Sequence, residues 1–359
     1  MDKWITNLLL NPITFGKKKI KIALIDMMLA VFTIVFGIMI RQAVISFQSI
    51  AADEYLEVAN AFKYGSMVFE LLIGVVAGLV VYRTTKLLRR SLLAFTTAFL
   101  LPTIIASGAM FGLLDSLHLT LLLLSLYFVY IGKANIGAIV CAVAIWVHPN
   151  GWFLVPLFVL LFLLERCQFI SLISMILLGI LKELLLNRGY LDQIPIYSVQ
   201  NMYQLSRNSE NLSDYAPNMY QLIGVNEFVN QYTKVGFALV IVAVCIFVVY
   251  GVIQKIGVEK EELLGVTLFF SIFIPFFLPG MDARSFLFSN LVALVIALIQ
   301  PKKSYYLIGI TILIYSSYSG VLRGETAIPM VLIAIGMFVM MILSMQDVYR
   351  MKAKEEDRV

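Results

Sequence analysis

Adjacent carboxylates at Asp53 and Glu54, with Glu57 one turn on, stand in the charged segment 41–63, directly after the first long apolar run. Ionisable groups kept beside or within lipid are costly, and so they point to function. A partly desolvated carboxylate, its pKa moved toward the working pH, suits the removal of a proton from an acceptor hydroxyl. The same acids also read as solvated loop residues, or as the cap of a helix over 54–62.

Three further constellations follow. Asp115 and His118 are spaced i, i+3 in Phe111-Gly112-Leu113-Leu114-Asp115-Ser116-Leu117-His118, so on a helix they share a face. They read as an acid–imidazole pair or as a helix cap, and no third ligand lies near enough in sequence to suggest a metal. His148 and Asn150 occupy Trp146-Val147-His148-Pro149-Asn150-Gly151-Trp152, where Pro149 and Gly151 separate two apolar segments. They read as ligand contacts or as a polar turn at the membrane surface, with Trp146 and Trp152 as interfacial flanks. Asp282 and Arg284 lie in Leu278-Pro279-Gly280-Met281-Asp282-Ala283-Arg284-Ser285-Phe286. The planar guanidinium of Arg284 suits phosphate oxygens, whereas a local Asp282–Arg284 pair would have little energetic worth. Arg41 closes the first apolar run, where it either snorkels or reaches the same phosphate.

The elements that must position these groups are membrane helices. The chain is 61% hydrophobic, with a mean hydropathy of +0.92. Backbone polar groups in lipid must be satisfied within the segment, so the expected fold is all-α and polytopic. Apolar runs at 22–40, 67–82, 91–107, 113–131, 136–148, 151–164, 169–186, 234–254, 262–278, 285–300, 304–319 and 326–345 predict about twelve transmembrane helices, or ten or eleven if 136–164 is a re-entrant pair. Lys and Arg concentrate in one set of short loops, which predicts that both termini are cytoplasmic in a multi-pass plasma-membrane protein. A single integral membrane domain covers 1–359. Within it, 1–21 is a cytoplasmic interfacial segment, 41–66 the first outer loop, 187–233 a long outer loop and 346–359 a cytoplasmic tail. The net charge of +5 is explained by anionic lipid headgroups and needs no nucleic acid. Cys141, Cys167 and Cys245 show neither a disulfide framework nor metal spacing.

Four stretches carry a resemblance. The first is the acid pair Asp53-Glu54 after the first span. The second is Gly112-Leu113-Leu114-Asp115-Ser116 leading into a Leu-rich run, similar to a Gly-Gln-x-Asp-Ser pattern. The third is Ala216-Pro217-Asn218-Met219-Tyr220, similar to Ala-Pro-Asn-Leu-aromatic. The fourth is the stretch from Leu278 to Phe286, similar to Leu-Pro-x-Met-His-Glu-Arg-Tyr-Phe. In this order the chain resembles the GT-C glycosyltransferases, and more narrowly bacterial proteins related to the second mannosyltransferase of GPI-anchor synthesis. It departs from that pattern at Leu113, at Asp282-Ala283 and at Ser285.

The resemblance implies a GT-C-like hexosyltransferase acting at the extracytoplasmic face. One sugar would pass, with inversion, from a polyprenyl-phosphate-sugar to a cell-envelope glycan or lipid-linked acceptor. Asp53 is then the expected base and Glu54 the second choice. Arg284 and Arg41 would serve the donor phosphate, with Asp115, His118, His148 and Asp282 as supporting polar groups. Tyr215, Asn218 and Tyr220 would contact the acceptor. No metal or other cofactor is expected, because a lipid monophosphate can be served by Arg. The expected partners are the lipid-linked donor, the glycan or glycolipid acceptor and membrane lipids. Two other readings stand beside it. Asp53-Glu54-Tyr55 with His148 fits an exopolysaccharide or O-antigen polymerase loosely, and a transporter or flippase of lipid-linked sugars would keep polar residues deep within its spans.

Overall fold

The computed structural model describes residues 12–15, 20–49, 56–111, 113–187, 212–223, 229–256, 259–323 and 325–356. Asp53 and Glu54 lie outside the described residues, as does most of 187–211. The chain divides into two compact units, Met1–Ser116 and Leu117–Val359.

The first unit opens with an antiparallel hairpin of β1 (Pro12–Phe15) and β2 (Ile20–Ala23). This part of the expected interfacial segment is therefore a hairpin. Helix α1 (Leu24–Ser49) follows, then α2 (Leu56–Thr85), α3 (Leu88–Phe99) and α4 (Pro102–Phe111). Helix α1 runs eight residues past Arg41 and α2 begins at Leu56, so most of the expected 41–66 loop is helical. Close approach of α2 and α3 is set by the Gly74-Val75-Val76-Ala77-Gly78 repeat. A Cβ at Gly78 would lie 3.0 Å from the Ser91 carbonyl oxygen, and Ser91 Oγ donates to Gly78 O at 2.8 Å. Small residues four apart let backbones meet where lipid offers no hydrophobic drive for helix association. Pro102 starts α4 after a 45° bend from α3, since its ring cannot continue the preceding helix.

The second unit holds most of α5 (Leu113–Tyr130), then α6 (Ala134–Val147), a 3-10 turn (Pro149–Leu154), α7 (Val155–Leu163) and α8 (Phe169–Asn187). After β3 (Ser213–Asp214) come α9 (Tyr220–Ile223), α10 (Val229–Ile253) and α11 (Lys260–Phe277). The unit ends with β4 (Met281–Asp282), a 3-10 turn (Ala283–Phe286), α12 (Leu287–Ile299), α13 (Ser304–Arg323) and α14 (Met330–Glu356). Its core is α11 and α12, buried over almost their full lengths. Thr311 Oγ1 donates to Asn290 Oδ1 at 2.9 Å and so ties α13 to α12. Ser125 Oγ donates to Gly137 O at 2.8 Å between α5 and α6. Asn135 on α6 accepts the Gln168 N–H at 2.7 Å, just before α8.

Four helices are long and apolar enough to cross a membrane: Leu24–Ser46, Tyr64–Thr85, Thr233–Ile253 and Met330–Arg350. The bent pair Leu88–Phe99 and Pro102–Gly108 makes up to five. The chain is therefore mostly helical with four or five candidate spans among the described residues, against the twelve expected. Five further apolar helices are only 10–17 residues long, short of the ~20 residues that a ~30 Å hydrocarbon core needs. Helix α10 exposes Val235, Leu239, Ile241, Val242, Ile246 and Ile253, the surface expected of a helix solvated by lipid.

Gly151 sits where the 3-10 turn crosses the end of α6, and a Cβ there would come within 2.7 Å of Ile145 N and 2.8 Å of Ile145 Cα. Backbone cannot yield as a flexible side chain can. Gly151→Ala is expected to destabilise the protein by about 1–3 kcal/mol, read as a lowered thermal midpoint in detergent; an unchanged midpoint would count against this packing.

Candidate functional site

In the second unit, short irregular segments converge between the helix ends. Strand β3 pairs in parallel with β4, Ser213 with Met281 and Asp214 with Asp282, and Tyr215 bridges to Asp282. Gly280 N donates to Leu212 O at 2.8 Å. Met219 N donates to Phe276 O at 3.0 Å, and Tyr220 OH donates to Phe277 O at 3.1 Å. The third and fourth sequence motifs are thus stitched together by backbone bonds. Gly280 makes the turn at φ +73, in the left-handed region that glycine tolerates without cost. Tyr215, at φ +48, lays its ring against Gly320 on α13, where a Cβ would collide with it.

The polar centre of this region is Asp282. Its Oδ1 caps the following 3-10 turn, accepting Ser285 N at 3.0 Å and Ser285 Oγ at 3.1 Å. Its Oδ2 receives Arg284 Nε at 2.9 Å and Arg284 Nη2 at 2.8 Å. The local pair forms, yet Arg284 remains 17% exposed. Asn150 Nδ2 contacts Ser285 Oγ at 3.4 Å, which brings in the Trp146–Trp152 motif. Asn150 N donates to His148 Nδ1 at 3.2 Å, and the His118 ring lies 5.0 Å from that of His148.

His148 sits in the break between α6 and the 3-10 turn, outside the candidate spans. Burial pushes its pKa down from 6.5 to about 3, and Arg284 and Lys182 push the same way while Asp282 opposes them. The imidazole is neutral at ordinary pH. Because Nδ1 accepts a backbone N–H, its proton is on Nε2, and it offers a donor there. A guanidinium and an imidazole N–H together can hold an oxygen-rich or phosphate-bearing group.

Asn218 lies in the same stitched segment and is wholly buried. Neither Oδ1 nor Nδ2 has a hydrogen-bond partner among the described residues. Tyr220 is buried and Tyr215 half-buried.

The first unit holds a separate polar cluster. Arg41 and Glu70 form a buried ion pair between α1 and α2, at 1% and 0% exposure. Arg41 also donates to Gly37 O at 3.1 Å and Phe99 O at 2.7 Å, with its guanidinium carbon 4.1 Å above the Phe99 ring. Ser66 Oγ and Ser116 Oγ both donate to Glu70 Oε1, at 3.0 Å and 3.4 Å. Gly108 leaves room for that carboxylate, which a Cβ would strike. Ser107 Oγ donates to Asp115 Oδ2 at 3.3 Å. The expectation that Arg41 snorkels or reaches a phosphate is corrected here: it is mid-helix and committed to Glu70 and two carbonyls, because a buried charge must be paired.

The structure thus gathers His118, His148, Asp282, Arg284, Tyr215, Asn218 and Tyr220 in the second unit. Arg41 and Asp115 belong to the first. Sequence reasoning missed Glu70 and Lys182. Each stands as an ionisable residue inside a strongly apolar stretch, which is itself the signal. Among the described residues, no group of three or more His, Cys, Asp or Glu is placed to hold a metal.

Two outcomes are expected. Arg41→Met or Glu70→Met alone should cost about 3–5 kcal/mol, because each strands a buried charge, while the double variant should cost less than either; additive losses in a thermal-stability cycle would refute the pairing. For His148, the unfolded state takes up a proton before the folded state does, so its contribution to stability is present above pH 6.5 and lost as pH falls toward 3. His148→Gln should flatten the stability profile across that window; an unaltered slope would show that other groups set it. In comparison with known proteins, no protein-family profile matches the chain and no curated sequence matches it significantly.

Proposed function

We propose that the chain is a membrane glycosyltransferase of the GT-C kind, moving one sugar from a polyprenyl-phosphate-sugar to a cell-envelope glycan or lipid-linked acceptor. The observation that carries the reading is the stitching of 212–221 to 276–286. It sets Arg284, Ser285, Asn150 and His148 around one polar centre, and two of the four family-like motifs meet there. In the reaction the acceptor hydroxyl oxygen attacks the anomeric carbon. The bond from that carbon to the phosphate oxygen breaks, and the phosphate leaves with the electron pair. The hydroxyl proton passes to the base, for which Asp53 is the candidate and Glu54 the second. Arg284 and the His148 Nε2–H would meet the charge that grows on the leaving phosphate, as fixed donors in a dry site do best. In this proposal the cluster faces the extracytoplasmic side, both termini are cytoplasmic, and the short apolar helices complete the membrane domain beside the longer spans.

A second reading is favoured by one feature, the buried Arg41–Glu70 pair between α1 and α2. Ionisable groups inside spans are typical of transport pathways, so movement of a lipid-linked sugar without bond cleavage is the competing function.

Purified wild type, Asp53→Asn and Arg284→Ala would be given a panel of polyprenyl-phosphate sugars with lipid-linked acceptors, and products read by mass spectrometry. Addition of one sugar is expected, reduced about 10²–10⁴-fold in Asp53→Asn and about 10²–10³-fold in Arg284→Ala, with folding retained. No product from any donor, or equal activity in the Asp53 variant, would overturn the assignment; movement of intact donor across vesicles would then favour transport.

A further inference from the structure

Helices α5 and α6 carry His118 and His148 at one end and a separate cleft at the other. From His118 to Tyr130 the helix rises about 18 Å. There the C-termini of α5 and α7 meet the N-termini of α6 and α11 around a cavity of about 450 Å³, within the usual size of ligand sites. Its floor is apolar, formed by the buried Tyr130, Leu161 and Leu263. Its rim carries two cations, Arg166 and Lys260, against one carboxylate, Glu259.

The local structure explains why the charges stand where they do. Gly132, at φ +81, reverses the chain after α5, and Lys133 N closes the turn onto Phe128 O at 2.8 Å. Arg166 N closes the matching turn after α7 onto Leu161 O at 2.8 Å. Lys260 Nζ sits 5.2 Å from the centre of the Tyr130 ring, a cation–π contact that holds the ammonium over the cleft. Glu259 and Glu262 cap α11 with each other's backbone N–H groups, so the Glu259 carboxylate is engaged in a cap. Lys133, which precedes α6, makes no side-chain cap, so the first N–H groups of α6 are not satisfied in that way.

We propose that this cleft binds the phosphate headgroup of an anionic membrane lipid. The net positive rim and the N-terminus of α6, which has no side-chain cap, suit a phosphate. What selects a lipid over a free anion is the company that Arg166 keeps. Leu163, Phe169 and Ile170 on either side of it in sequence are exposed at 45%, 60% and 74%, a surface that acyl chains would cover. Basic pockets between apolar helix ends are where anionic headgroups settle. The site is independent of the sugar-transfer reading and would stand if that reading failed.

The test is lipid retention, which reads no transfer chemistry. Full-length protein in mild detergent would be offered phosphatidylglycerol and phosphatidylcholine in equal amounts, and bound lipid counted by native mass spectrometry. Wild type should prefer phosphatidylglycerol. The double variant Arg166→Gln, Lys260→Gln should lose that preference about thirtyfold, as expected when two basic residues each contribute on the order of 1 kcal/mol at an anionic surface. The charge-matched control Lys302→Gln, Lys303→Gln should keep it, and circular dichroism and thermal midpoint check that both variants are folded. An unchanged preference in the first variant, or an equal loss in the control, would overturn the site. Displacement of the lipid by millimolar inorganic phosphate would overturn the lipid assignment in favour of a soluble anion.

Discussion

The Asp282 carboxylate is the point on which the architecture of the second unit turns. Within six residues the chain leaves α11, reverses at Gly280, pairs with a distant strand and starts a new helical element. Each of these steps exposes backbone donors and acceptors that neither lipid nor a packed core can satisfy. Asp282 resolves most of them at once: its backbone bridges to Asp214 and Tyr215, one oxygen caps the 3-10 turn, and the other fixes Arg284. Irregular backbone among apolar helices is tolerated only where it is buried in protein or lines a polar cavity. A carboxylate with this many donors is the means by which that backbone is kept.

The first unit meets the same constraint differently. There the long helices α1 and α2 run unbroken and the polar groups between them are side chains. Arg41 and Glu70 neutralise each other across two helices, and Ser66, Ser116 and two carbonyls take up further bonding capacity. Such a pair is weak evidence for net stability, because desolvation offsets much of the attraction. Its worth is geometric: only one register of α1 against α2 brings the two groups together, and Gly37 and Gly108 provide the space for them.

Helical character was legible in the sequence because apolar runs bounded by Gly, Pro and charge have a direct local meaning. The number of spans was not, since an apolar run reads alike whether lipid or protein surrounds it. The run 285–300 is the clearest instance: as α12 it is buried almost throughout by neighbouring helices. That much of 41–66 is helical was hidden for a related reason. Arg41 marks a boundary only if its charge faces water, and its partner lies 29 residues further on, out of reach of any local window. Within the site, His148, Asp282 and Arg284 stood out by type and by the Pro and Gly beside them. That Asn150 reaches Ser285, 135 residues away, is a tertiary fact with no local trace. The order of the third and fourth motifs gave no hint that they pair as strands.

The chemistry available at the cluster is constrained further by where its protons are. Both Asp282 oxygens receive N–H or O–H donors from its own turn. His148 spends Nδ1 on the Asn150 N–H, so the face left to it is a donor. Arg284 is a donor by nature. The side chains gathered around Ser285 are therefore arranged to receive negative charge on oxygen and are poorly arranged to remove a proton. If a group is transferred here, the base has to come from another part of the chain.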